Sequence, residues 1–126
     1  MATHADAELI LRLYELRREP VLREARDWFA REFKASTADE LAKQCPPGTD
    51  ANRYYRMVTT YWDMVAAIVN RGALDETLFF DTNGEFIGVW RKVAPFLPEL
   101  RKARNAPRLM RNLEELYRRW ERYSAE

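Results

Sequence analysis

The chain reads as an all-α helical bundle of about five main helices with one or two short ones, forming a single domain over residues 1–126. Apolar side chains recur at three- and four-residue spacing along most of its length, and no run alternates in the manner of a strand for more than a few residues. Helix-starting residues (Asp, Thr and Pro) stand before each periodic run. The composition, 47% hydrophobic with only 4 glycines and 6 prolines, excludes a disordered tail, a collagen-like fibre and a low-complexity linker. A length of 126 residues suits one core, since either half alone would bury too little surface.

Asp6 is placed to cap a first helix running to Arg18, with Leu9, Leu13 and Leu16 on one face. Pro20 suits the first turn of a second helix, where its missing amide hydrogen costs nothing. That helix is expected to bury Val21, Ala25, Trp28, Phe29 and Phe33. Thr37 with Glu40 forms a capping-box pattern for a short helix ending near Gln44, and Cys45-Pro46-Pro47-Gly48 stops it.

Asp50 opens the best-defined element, which runs to Arg71 and closes on Gly72 as a left-handed cap. Tyr54, Val58, Tyr61, Val65 and Ile68 make one stripe, which Tyr55, Trp62, Ala66 and Val69 widen past half the circumference. Such a helix spans roughly 33 Å and is expected to be the centre of the bundle. Asp75 caps a short helix through Phe80. Thr82 with Glu85 repeats the capping-box pattern before a helix presenting Phe86, Val89, Trp90 and Val93. Pro95 and Pro98 then predict a kink or break near Val93 to Phe96, with the periodic pattern resuming at Leu97 and Leu100. A last helix is expected from Pro107, lined by Leu109, Leu113, Leu116 and Trp120.

Several function classes fall away on residue counts. The single cysteine, Cys45, forms no internal disulfide, and with the single histidine, His4, it cannot supply a four-ligand zinc site or a pair of Glu-x-x-His motifs. No glycine loop of the phosphate-cradling kind occurs, no cofactor motif is present, and neither Ser36 nor Ser124 has a base near it. No secretory leader opens the sequence, and the longest unbroken apolar stretch, Met64 to Val69, is too short for a transmembrane segment. A cytoplasmic, reducing setting is therefore expected.

Charge balances at +1 overall, yet residues 1–90 carry a net −4 and residues 91–126 a net +5. Arg101, Lys102, Arg104, Arg108 and Arg111 make a basic cluster with no acid between residues 100 and 113, straddling the start of the last helix. Free amides and the helix dipole there favour an anion such as a phosphate, an anionic lipid or a nucleic-acid backbone. A pI near 7.9 argues against a dedicated nucleic-acid domain, and solvated or internally paired arginines are the plainer expectation. Asp63 lies in the densest apolar segment, on a face shared with Thr59, Thr60, Ala67 and Asn70, so Asp63 and Thr60 are the candidate buried polar residues. A carboxylate there requires an arginine or the backbone of a neighbouring helix. The four tryptophans, Trp28, Trp62, Trp90 and Trp120, all fall at positions expected to face the core.

The stretch from Tyr61 to Phe80 resembles the centre of a bacterial family of small all-helical proteins known as a domain of unknown function. The likeness rests on Asp63 within the long apolar helix, the turn residues Gly72, Leu74 and Asp75, then Trp90, Pro95 and Arg101, with Pro20 and Ala25 upstream. It extends over most of residues 7–120, and it departs at Thr60, where the pattern has Asn, and at Asp63, where it has Glu. The resemblance implies a helical fold and no known reaction. The leading expectation is a non-enzymatic module that self-associates or docks onto a protein partner. The alternative is anion binding through the basic cluster, with nucleic acid or anionic lipid as partner. A third is acid–base chemistry by Asp63 with Tyr61.

Overall fold

The structure, a computed structural model describing residues 1–126, consists of eight helices and no strand. They are α1 (His4–Arg17), α2 (Pro20–Arg31), α3 (Ala38–Gln44), α4 (Asp50–Asn70), α5 (Glu76–Thr82), α6 (Glu85–Val93), α7 (Leu97–Ala103) and α8 (Arg111–Ser124). None is long and apolar enough to cross a membrane.

The central position of α4 follows from its sequence. Thr49 caps its start by accepting from the Asn52 amide. At its end Gly72, with φ at +80°, lets the amides of Gly72 and Ala73 reach the carbonyls of Val69 and Ile68. Between these stops, Tyr54, Tyr55, Val58, Tyr61, Trp62, Val65, Ala66 and Val69 are all buried, and only Ile68 of the expected stripe is half-exposed. The helix packs most extensively against α2 and α8, and also meets α5 and α6. One continuous core joins these residues to Phe79, Phe86, Val93, Phe96, Leu97, Leu113 and Leu116.

Elsewhere the local signals shift. Thr3, not Asp6, caps α1, and Asp6 serves as the returning member of the capping box. Only Leu13 of α1 is buried; Leu16 faces water, and Val21 does too because α2 seats Leu22, Ala25 and Phe29 instead. Trp28 is half-buried, and Phe33 is buried just beyond the end of α2. Thr82 and Glu85 form no capping box. α5 runs through Thr82, whose hydroxyl donates to the Leu78 carbonyl; Gly84 takes the N-cap, and the Glu85 carboxylate is drawn to other partners. The proline segment is a full break, giving a third short helix: α6 stops at Val93 and α7 starts at Leu97 with Pro98 in its first turn.

The last helix begins at Arg111 and not at Pro107. Residues 107–110 form turns held by the Arg101 Nε–H, which donates to the Leu109 carbonyl at 2.8 Å. Met110 occupies the N-cap in the left-handed region, φ +54°, and offers no side-chain cap. That missing cap decides the role of Asp63.

Candidate functional site

Asp63 is half-buried on the side of α4 that faces α8. Its Oδ1 accepts from the Leu113 amide at 2.9 Å, and its Oδ2 accepts from the Asn112 side-chain amide at 3.2 Å. Leu113 is the third residue of α8, so a carboxylate from another helix does the work of an N-cap side chain. Asn70 strengthens the same seam by donating to the Asn112 carbonyl at 2.9 Å. The anion-favouring end of the last helix is thus already occupied from within. Thr60, expected to be buried beside Asp63, is exposed, and its hydroxyl donates back to the Arg56 carbonyl. The buried threonine is Thr59, 3% exposed, which donates to the Tyr55 carbonyl at 2.9 Å. Tyr61 donates to the Leu13 carbonyl at 2.8 Å, and burial pushes its phenol up to about 12. Asp63 and Tyr61 therefore serve α8 and α1 separately and share no reaction space.

The basic cluster divides in the same way. Arg101 is inward-facing, with its side chain 14% exposed and its Nη2 at 2.9 Å from Glu114 Oε1, a close ion pair whose N–H is not aimed along the oxygen. Arg111 and Arg118 reach the same carboxylate at 3.9 and 2.6 Å. Lys102, Arg104 and Arg108 are exposed, and none has a carboxylate within 4.0 Å. Glu114, one residue past the acid-free stretch, draws Arg101 into the framework, while Arg111, with its side chain 54% exposed, only approaches it.

A second polar cluster escaped the sequence reading. Arg26 of α2 grips Glu85 of α6 with Nε at 2.9 Å and Nη2 at 2.7 Å, and its Nη1 donates to the Arg17 carbonyl at 3.1 Å. Trp62 Nε1 donates to the same Glu85 carboxylate at 2.9 Å, and the Arg17 guanidinium lies 5.5 Å above the Trp62 ring. Burial would raise the Glu85 carboxyl, yet the Arg26 and Trp62 bonds outweigh it and hold it below the usual carboxylate range. Nearby, Lys92 Nζ donates to the carbonyls of Phe29, Ala30 and Phe33, closing the C-terminal end of α2. The only advance signal was Trp62 itself, a core-facing indole that needs an acceptor for its N–H.

Between α3, α4, α7 and the turn before α8 lies a cleft of about 480 Å³. Leu41, Ala42, Leu100, Ala103, Leu109 and Met110 form its apolar wall. Tyr55 lines it from α4; it is 4% exposed, and its hydroxyl is buried without a hydrogen-bond partner. Burial raises the Tyr55 phenol, opposed by the positive charge of Arg104, so the hydroxyl keeps its proton and remains a donor. Arg56 and Arg104 also line the cleft; both are exposed at the residue level and free of carboxylate partners, and no acidic residue lines the space. Cys45 sits in the wall with its thiol pushed up by burial, which keeps it neutral and a poor nucleophile. Of the residues singled out from sequence, Arg104 and Thr60 meet here; Asp63, Arg101, Lys102, Arg108 and Arg111 do not.

No curated protein and no solved structure matches the chain. A family model described as "Domain of unknown function (DUF4760)" matches residues 2–120, nearly the whole length. An eight-helix bundle built around α4 is thus what this sequence makes of that family, and the chain belongs to DUF4760.

Proposed function

We propose that the chain is a non-enzymatic interaction module that pairs with a second copy of itself through α1. The observation that carries this reading is where large apolar residues meet water. Of Met1, Leu11, Tyr14, Leu16, Val21 and Met64, all but Met64 lie in the first 21 residues. Glu8, Arg12, Glu15 and Arg18 of the same segment are exposed and form no ion pair within the chain. Laid antiparallel on its copy, α1 brings Arg12 level with the copy's Glu15 and Leu11 level with its Leu16, so opposite charges and apolar side chains meet along the seam. A reducing cytoplasm suits the lone, free Cys45.

Sedimentation velocity tests this directly. The native chain is expected to dimerise with rising concentration, and Leu11→Glu with Leu16→Glu to shift it to monomer while the folded helix content stays unchanged. A native chain that sediments as a monomer at every concentration contradicts the reading. A second reading has its own support in the unpaired Lys102, Arg104 and Arg108, which suit an anionic surface such as nucleic acid, phosphate or lipid. Binding of that kind weakens steeply as salt rises.

A further inference from the structure

We propose that the cleft between α3, α4 and α7 binds a small amphipathic carboxylate, with the anionic head between Arg104 and the Tyr55 hydroxyl and the apolar tail against Leu41, Leu100, Leu109 and Met110. The inference is independent of self-association, because α1 contributes nothing to the cleft.

Three features converge on that chemistry. The volume, about 480 Å³, falls within the range that holds small ligands. A wall of Leu, Ala and Met side chains favours an aliphatic body, since it offers apolar contact with few hydrogen-bonding demands. The polar groups without a partner in the chain are all donors: Tyr55 has no acceptor, Arg56 and Arg104 have no carboxylate, and no acid lines the space, while Asn52, Thr59 and Thr60 already donate to backbone carbonyls. A buried hydroxyl with no partner is destabilising, a penalty that a ligand oxygen removes. One carboxylate group accepts from a guanidinium and a phenol at once, and its two oxygens suit the planar fork of arginine better than a hydroxyl or a carbonyl does. Cys45 adds no reactivity, because its thiol stays protonated, so the site binds and does not acylate.

The test is isothermal titration calorimetry of the full chain with octanoate, octanol and inorganic phosphate, each against the native protein, Arg104→Ala and Tyr55→Phe. Native protein is expected to bind octanoate saturably at one site, with octanol and phosphate at least about tenfold weaker. Arg104→Ala and Tyr55→Phe are each expected to weaken octanoate by about tenfold. Both substitutions leave the framework intact, since Arg104 is exposed and Tyr55→Phe removes only an unpartnered hydroxyl, and circular dichroism verifies this. Backbone amide shifts induced by octanoate should map to residues 38–60 and 97–110. No saturable binding, equal binding of octanol, or octanoate binding indifferent to both substitutions overturns the proposal. So does cosedimentation with phosphatidylglycerol vesicles without octanoate binding, which would assign the cations to a membrane surface instead.

Discussion

Glu85 and Tyr55 both project from the interior of the bundle with polar atoms that water does not reach freely, and their surroundings treat them oppositely. Around Glu85 the carboxylate is saturated: two nitrogens of Arg26 and the indole of Trp62 share it, the remaining guanidinium nitrogen of Arg26 finds the Arg17 carbonyl, and only Arg17 Nε at the edge of the cluster is left without a partner. Around Tyr55 the hydroxyl has no partner, the neighbouring arginines have no counter-charge, and the space beside them is open. Polar groups that saturate one another hold α1, α2, α4 and α6 together. Groups left unsaturated along a cleft are available to a molecule from outside.

The contrast predicts a descending series of effects on stability. Glu85→Ala leaves the Arg26 guanidinium and the Trp62 indole without their acceptor, and urea unfolding should show a loss of about 2–3 kcal/mol. The same variant carries a pH signature. Because the native pKa of Glu85 lies below its ordinary value, its contribution is complete above the ordinary range and is lost as pH falls through the lower native value. The stability gap between native protein and Glu85→Ala should therefore hold from pH 7 down to about 5 and close below that. A gap that widens in acid would reverse the sign and refute the arrangement. Asp63→Ala removes the cap that α4 lends to α8 and should cost about 1–2 kcal/mol, with hydrogen exchange rising first at the amides of residues 112 and 113. Equal protection there in both proteins would show that α8 does not depend on Asp63.

How far the sequence foretold this molecule depends on how local each signal is. The limits of α4 could be read because its signals are local: Asp50 opens it, Gly72 closes it, and the spacing from Tyr54 to Val69 sets its buried face, with only the capping side chain falling one residue earlier, at Thr49. Glu85 was misread because Thr82 stands three residues before it, whereas its true partners are 59 and 23 residues away and no local pattern encodes them. The start of α8 moved from Pro107 to Arg111 for a related reason, since the turn depends on an Arg101 bond to Leu109 and on a cap supplied from α4. Thr60 gave way to Thr59 because one residue along a helix is a rotation of about 100°, enough to exchange a solvent-facing position for a buried one. The cleft had no signature, being a space between α3, α4 and α7 and not a property of any of them.

The most direct measurement is the unfolding free energy of Tyr55→Phe against the native protein in the absence of ligand. A hydroxyl buried without a partner is a burden, so its removal should leave stability unchanged or raise it by up to about 1 kcal/mol, in contrast to the loss at Glu85. A loss of more than about 1 kcal/mol would mean that the hydroxyl is bonded within the protein, and the division between saturated framework and open cleft would fail.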